Sequence, residues 1–291
     1  MKLLTKFNLV LILFFGAGGL IIAQLAYNFL MQNARDQALQ QAELMMAGAR
    51  STRDYTSDQI KPFLLKNPEY KTDFLPQVVP AFSATTIFNS LHKSYPNYSY
   101  REATLNPTNL MDRADEWEAD IIRYFSEHPD EKKFVGERDA PTGRHLYLAK
   151  PIAAEPSCME CHSRPDVAPA AMIRKYGSVN GFGWKLDQII AAQVVSVPMS
   201  VPISVADKAF RQLIFFLIAT LVVTILALDA GLYLLVIRPL HKVSTDANRI
   251  SKGEIELPEL EVRGKDEIAH VTRSFNRMHL SLAKALKMLE K

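Results

Sequence analysis

Hydrophobic and polar positions divide the chain into an apolar run, a long mixed middle, a second apolar run and a polar tail. The first run extends from Phe7 to about Met31, with Asn8, Gln24 and Asn28 as its strongly polar interruptions. As a helix it is long enough to cross a bilayer. A cleaved signal peptide has an apolar region of about 7–15 residues followed by a small-x-small site. Here the run continues well past Ala17-Gly18-Gly19, which favours an uncleaved anchor. The second run, Leu213 to Ile237, also reaches across a bilayer with some tilt.

Between the runs the period is first helical and then alternating. Ala38, Ala42, Met45, Ala49 and Tyr55 predict a helix from Asn33 to about Leu65, continuing the first apolar helix outward. A second helical pattern covers Pro76 to Tyr95, and residues 114–128 predict a third, amphipathic helix. The stretch from Tyr95 to Met111 is punctuated by Pro96, Asn97, Asn106-Pro107 and Asn109, and reads as turns. From Lys133 onward the period becomes two. Arg144 to Ala149 alternates after the turn Ala140-Pro141-Thr142-Gly143, and Gln193 to Val197 alternates before Pro198, as strands of an antiparallel sheet do. Helices followed by strands predict an α+β domain, with the two cysteines on a loop between strands.

The tail returns to helical spacing. Leu240, Val243, Ala247 and Ile250 form one heptad stripe, Gly253 breaks it, and Ile268, Val271, Phe275, Met278, Leu282, Ala285 and Leu289 form a second. Two short stripes and a connector suit a parallel four-helix bundle made by a homodimer. A surface-lying amphipathic tail is the blander account, but its polar face would be rich in Lys and Arg, and this one is mixed.

Charge sets the topology. Lys plus Arg against Asp plus Glu is 21 to 22 over residues 32–212 and 11 to 8 over residues 238–291. Arg238, Lys242, Arg249 and Lys252 follow the second span, against Lys208 and Arg211 before it. The positive-inside rule then places both ends in the cytoplasm and the middle outside, in the periplasm of a Gram-negative cell. No dense basic face interleaved with aromatics points to nucleic acid. Asp229 lies inside the second span, and snorkelling or pairing across a dimer accounts for it as readily as a relay role.

The chain has two cysteines, three positions apart, in Cys158-Met159-Glu160-Cys161-His162. This is the c-type haem attachment pattern: two thiols add across the haem vinyl groups and the next residue, His162, reaches the iron as proximal ligand. Three other uses of the pair exist. A structural zinc site wants a second Cys/His cluster, which the chain lacks. A thioredoxin-like redox pair wants a βαβ context, and a plain disulfide needs only the two thiols. A haem also needs an apolar pocket, for which Met172, Tyr176, Phe182 and Trp184 lie close after the motif, with Trp117 and Tyr147 as further walls; each is equally an ordinary core residue.

The chain resembles the extracytoplasmic c-type haem sensor domain of bacterial receptors and kinases, long catalogued as a domain of unknown function. The likeness is carried by Tyr100-Arg101-Glu102-Ala103-Thr104-Leu105-Asn106-Pro107-Thr108-Asn109, by Ala114-Asp115-Glu116-Trp117-Glu118-Ala119-Asp120, by the cysteine motif, and by Tyr176-Gly177 through Gly181-Phe182-Gly183-Trp184-Lys185 to Val197-Pro198-Met199. The resemblance implies a PAS-like domain, and in some relatives a distal iron ligand that is a cysteine of the first helix. This sequence has no third cysteine. Met45, Met46 and His92 are the distal candidates, because thioether and imidazole both ligate haem iron; an empty distal position is the other option. Residues 238–291 resemble a HAMP linker, whose pattern Pro239 and Asp266-Glu267 also match.

The expected organisation is a cytoplasmic N-terminus (1–6), a first membrane helix (7–31), a periplasmic haem domain (32–212), a second membrane helix (213–237) and a HAMP-like cytoplasmic module (238–291), in a two-pass protein of the bacterial inner membrane. The expected function is sensing: one covalent haem, changed by redox state or a gas, biases the membrane helices, and HAMP passes the change to a separate cytoplasmic partner. No constellation for enzymatic turnover stands out. The rival is an anchored electron-transfer cytochrome subunit, which has no need of a HAMP-like tail. A small-molecule receptor with a structural haem is the third class.

Overall fold

A computed structural model describes residues 3–66 and 73–289. The chain forms two compact units, Ala26–Phe210 and Met1–Leu25 with Arg211–Lys291.

The Ala26–Phe210 unit is built on a four-stranded antiparallel sheet. Its strands are β1 (Ser99–Thr104), β2 (Phe134–Ala140), β3 (Gly143–Ala153) and β4 (Ile189–Pro198), in the order β1-β4-β3-β2. Tyr100 and Leu148 both face Val195 across the ladder, and Leu146 faces Val197. The two-residue period sends Tyr100, Leu146, Leu148, Val195 and Val197 to one face and Ala103, Ala149, Ala192 and Val194 to the other. Helices cover both. The first face packs on α1 (Leu3–Tyr55) and α3 (Pro80–Ser94) through Ala38, Ala42, Met46, Ala49, Ala84 and Phe88. The second packs on α4 (Glu116–Glu127) through Ile121, Ile122 and Phe125.

The sequence explains how closely these layers approach. Ala34, Ala38, Ala42 and Ala49 make one face of α1 nearly smooth, and all four are buried. Helix α4 starts where Asp115 caps it. The Asp115 N–H donates to Glu118 Oε2 at 2.8 Å while the Asp115 side chain accepts from the Glu118 backbone, a reciprocal capping box. Arg101 of β1 donates to Asp115 Oδ2 at 3.1 Å and so ties that cap to the sheet.

The structure corrects four expectations. The segment read as turns between Tyr95 and Met111 contains β1, an edge strand whose Tyr100 and Ala103 are buried. The second helix begins at Pro80, after a short 3-10 turn at Pro76–Val78. The cysteines lie on a short helix, α5 (Pro156–His162), where a loop was expected. The first helix widens into a π turn at Thr56–Ile60 before a last turn, α2 (Lys61–Leu64), because Pro62 has no N–H for an α-helical bond.

In the second unit, α1 up to Leu25 and α7 (Ser200–Leu232) from Arg211 present bare apolar surface such as Phe14, Leu20, Phe215 and Leu226. The two helices carry windows of mean hydropathy 2.4 and 2.6, and are long and apolar enough to cross a membrane. Asn8 Nδ2 donates to Asp229 Oδ2 at 2.8 Å, so Asp229 pairs with the first span of its own chain. Oδ1 of both residues is buried without a partner among the described residues.

A π turn at Tyr233–Ile237 precedes Pro239 and leads to α8 (Arg238–Ser251), which ends at Gly253, φ +95°. Helix α9 (Glu267–Leu289) packs on α8 through Phe275 against Ile250, with Val243 and Ala247 beside them. The connector is pinned to α9: Leu260 donates to Asn276 Oδ1 and accepts from Asn276 Nδ2, at 3.1 and 2.8 Å, and His279 Nε2 meets Ile255 O at 2.8 Å. Leu240, Val271, Met278 and Leu282 of the two stripes stay exposed.

Candidate functional site

The Pro156–His162 helix lies in the connection between the two central strands, β3 and β4, ahead of a second short helix, α6 (Ala170–Tyr176). Pro156 starts it, with its fixed φ and missing N–H placed where a helix tolerates both. One turn then carries Cys158, Cys161 and His162, all half-buried. Among the described residues no three His, Cys, Asp or Glu side chains converge as a cage for a metal ion.

His162 is fixed on three sides. Its Nδ1 lies 2.7 Å from the Gly181 carbonyl, so Nδ1 carries the proton and donates. Its ring stacks on Trp184 at 4.0 Å between centroids and 14° between planes. The backbone closes the third side, with Trp184 N–H donating to His162 O at 3.3 Å and Gly183 N–H to Ser163 O at 3.1 Å. Nε2 is left as the ring's acceptor, the arrangement of a histidine poised to ligate a metal. Burial pushes its pKa down, with the Gly181 bond opposing.

The loop that holds His162 is held in turn by the segment after β1. Asn106 Oδ1 accepts from Gly181 N–H at 3.0 Å, and Thr108 Oγ1 sits 3.3 Å from His162 Nδ1. Gly181 has φ +81°, and a Cβ there would come within 2.0 Å of Thr108 Oγ1. Only glycine allows this approach. The Asn106-Pro107-Thr108 triplet is therefore a support that fixes the orientation of His162, a role its turn-forming residues did not announce.

The apolar surroundings are those expected in part. Met172, Tyr176 and Phe182 pack with Cys161, together with Phe74, Val78 and Ala171. Met159 and Trp184 pack with Ala154, Ile190 and Ala191. Burial pushes the Cys161 thiol up, with Lys61 opposing. Trp117 and Tyr147 are placed elsewhere, ring to ring at 5.3 Å in the α4 layer, as core residues of that layer.

None of the three distal candidates packs in the clusters that hold Cys161, Met159 and Trp184. Met46 is 2% exposed and committed to the core between α1 and the sheet. Met45 borders a cavity of about 270 Å³ with Leu44, Leu91, Tyr95 and Tyr98. His92 is exposed, with Nδ1 2.8 Å from the Tyr98 carbonyl. Further along α1, Arg53 donates to the buried Glu102 of β1. Met46 lies seven residues earlier, about 10 Å along the helix. Arg53 was missed because a charged residue on an amphipathic helix reads as solvated; its buried partner Glu102, inside a strand, was the available signal.

Two apolar helices around an α+β domain, followed by paired amphipathic helices, define a membrane protein of the sensor-type signal-transducing class. Residues 31–198 match the Tll0287-like family, and residues 231–284 match the HAMP domain. The chain belongs to the Tll0287-like family, with a HAMP domain after it. A solved structure described as the crystal structure of the cyanobacterial heme-protein Tll0287 aligns over 56% of this chain and 95% of its own, at 12% identity and a TM-score of 0.44. No curated protein matches.

Proposed function

We propose that this protein is a membrane-bound sensor with one c-type haem, attached covalently through Cys158 and Cys161 and ligated by His162, that passes a redox or gas-binding event through its HAMP domain to a separate partner. The observation that carries the reading is the state of His162. It follows two thiols on one helical turn, and with its Nδ1 engaged by Gly181 O its Nε2 is the ring's acceptor nitrogen. A haem so held would supply a one-electron Fe(III)/Fe(II) couple. The residues present fit that group, with two thiols, an oriented imidazole and an apolar wall of Met172, Tyr176 and Phe182.

On this reading Trp184 and Gly181 hold the imidazole at a fixed angle, Asn106 and Thr108 brace the loop, and Cys158 and Cys161 would hold the group through thioether bonds. The same reading puts the domain outside the cytoplasmic membrane, and the basic flank after the second span supports that side. The exposed stripe of Leu240, Val271, Met278 and Leu282 supports a homodimeric four-helix bundle. No catalytic turnover is assigned.

The test is a denaturing gel of the membrane-expressed protein stained for haem peroxidase activity. A stained band that disappears in Cys158→Ala/Cys161→Ala is the expected result. Release of all haem from the unmutated protein by acidified organic solvent would refute covalent attachment. His162→Ala should retain the stain and change the Soret band.

A further inference from the structure

The outer edge of the α4 layer holds an aromatic cavity that the haem attachment does not use. On α4, Trp117, Ile121 and Tyr124 are spaced by four and three and share one face. On the edge strand β2, Phe134, Gly136 and Arg138 alternate onto the sheet face that meets them. Tyr147 of β3 stands opposite Gly136 in the ladder. A Cβ at Gly136 would lie 2.3 Å from the Tyr147 hydroxyl oxygen, so the glycine makes room for the phenol ring to lie across β2.

The rings that result form walls. Phe134 and Tyr147 are nearly parallel, 12° apart at 6.1 Å, while Trp117 meets Tyr147 at 5.3 Å and Tyr124 meets Phe134 at 5.0 Å, both edge to face. With Ile121, Asp120, Glu137 and Arg138 they line a cavity of about 310 Å³. That is the small end of the range for ligand pockets, and it suits a molecule of one ring.

The charges at this cavity are unevenly matched. Asp120 pairs with Arg123, and Glu137 pairs with Arg35 at 3.1 Å and Arg144 at 3.8 Å. The buried Glu118 of α4 accepts from the Asp115 N–H at 2.8 Å and lies 3.6 Å from Arg101. Among the described residues Arg138 has no carboxylate in contact, and its Cζ lies 4.1 Å over the Trp117 ring instead. A guanidinium placed over an indole keeps N–H donors for a carboxylate, which it can grip with two parallel hydrogen bonds.

We propose that this cavity binds a small aromatic carboxylate, with the ring between Trp117, Tyr124, Phe134 and Tyr147 and the carboxylate on Arg138. An organic cation would be drawn to the same rings, but it would meet the Arg138 charge while both rim carboxylates are already engaged. A plain aliphatic acid would leave the aromatic walls unused. The site is independent of the haem reading, and it gives the domain a second input on the sheet face away from α1.

The experiment is calorimetric titration of the full-length protein in detergent at neutral pH, against a detergent blank, with benzoate as the probe and acetate and benzylammonium as comparisons. Wild type, Arg138→Gln, Arg138→Glu and Trp117→Leu are measured, each checked by circular dichroism. Benzoate should bind wild type with a Kd below about 1 mM. Acetate, which lacks the ring, and benzylammonium, which reverses the charge, should each bind on the order of tenfold more weakly or worse. Arg138→Gln should weaken benzoate by on the order of tenfold, the loss of one charge-assisted pair, and Arg138→Glu should reverse the order of benzoate and benzylammonium. Trp117→Leu should weaken benzoate without moving acetate. Because Trp117 also packs on the core, the variants of exposed Arg138 keep the test decisive if Trp117→Leu does not fold. No benzoate uptake at about 10 mM, acetate bound as well as benzoate, or a wild-type preference for benzylammonium overturns the proposal. Benzoate binding that is unchanged in folded Arg138→Glu overturns it too. None of these outcomes depends on haem attachment, so the functional reading stands or falls by its own test.

Discussion

At the residue scale the site depends on contacts that tolerate little change. Gly181→Ala meets two obstacles at once, a left-handed backbone and Thr108 Oγ1 in the space of the new Cβ. The expected cost is about 2–4 kcal/mol, from left-handed strain and overpacking together. It should appear as a lower thermal midpoint with an altered Soret band, since the Gly181 carbonyl orients His162. A melt within a degree of wild type would contradict the geometry. His145 offers a pH test. It is 6% exposed, with Nδ1 3.1 Å from Ser196 Oγ and Nε2 2.8 Å from Thr142 Oγ1. Burial, with Arg138 adding to it, pushes its pKa below the ordinary value. The unfolded chain then takes up this proton more readily than the folded one. The stability tied to neutral His145 is present above the unfolded pKa of about 6.5 and is lost as the pH falls below it toward the lower folded value. His162 shifts in the same direction. The informative quantity is therefore the difference between wild type and His145→Gln in urea midpoint from pH 8 to pH 5, and the variant should show the shallower decline. Cys158, Cys161 and His162 stood out as candidates because the chemistry proposed for them demands adjacency in sequence. Gly181, Thr108 and Arg53 did not, because their roles arise from contacts distant in sequence, 54 positions for Thr108 with His162 and 49 for Arg53 with Glu102.

At the scale of elements, helices announced themselves and one strand did not. The amphipathic period of residues 114–128 matched α4, and the alternation in Arg144–Ala149 and Gln193–Val197 matched β3 and β4. Strand β1 was hidden because it carries Arg101 and Glu102 in its middle, each paired with a charge on a neighbouring element. A charged pair inside a strand defeats a reading based on apolar alternation. Helix α5 was hidden for another reason: seven residues hold too few turns for any period to show. Helix α1 owes its close seat on the sheet to alanine. Ala42→Leu should overpack that face and cost about 1–3 kcal/mol in chemical denaturation. The same substitution at exposed Leu44→Ala, in reverse, should change stability by less than about 0.5 kcal/mol. Loss of the α4 cap in Asp115→Ala should cost about 1 kcal/mol.

At the scale of the molecule, the signalling reading makes a demand on the uncovered stripe of the HAMP helices. Met278 is 57% exposed in the single chain. If a second copy covers it, Met278→Glu should convert the detergent-solubilised dimer to monomer, seen by light scattering, while the haem spectrum stays as in wild type. A dimer that persists would move the interface away from α9. In membranes, spin labels on α9 of the two copies should report different distances for oxidised and reduced protein; identical distributions would favour a simple electron carrier. The order of the two long apolar helices and the two tail helices was legible, since apolar runs and heptads are long-range patterns. The Asn8–Asp229 contact was not, because nothing local says which partner a buried carboxylate will find.

The two π turns have a bearing on how related chains are compared. Each ends at a proline, Thr56–Ile60 before Pro62 and Tyr233–Ile237 before Pro239. A π turn holds one residue more than the α turn it replaces, so each amounts to a single-residue insertion accommodated within a helix. Relatives that lack the proline at either place should align with one residue fewer there and an uninterrupted helix. An alignment that instead spreads the length difference over neighbouring turns will shift every helical position before it by about 100° around the axis. For Arg53, three residues before the first π turn, a gap misplaced in this way would set it opposite a residue on another face of the helix and conceal whether the charge is shared.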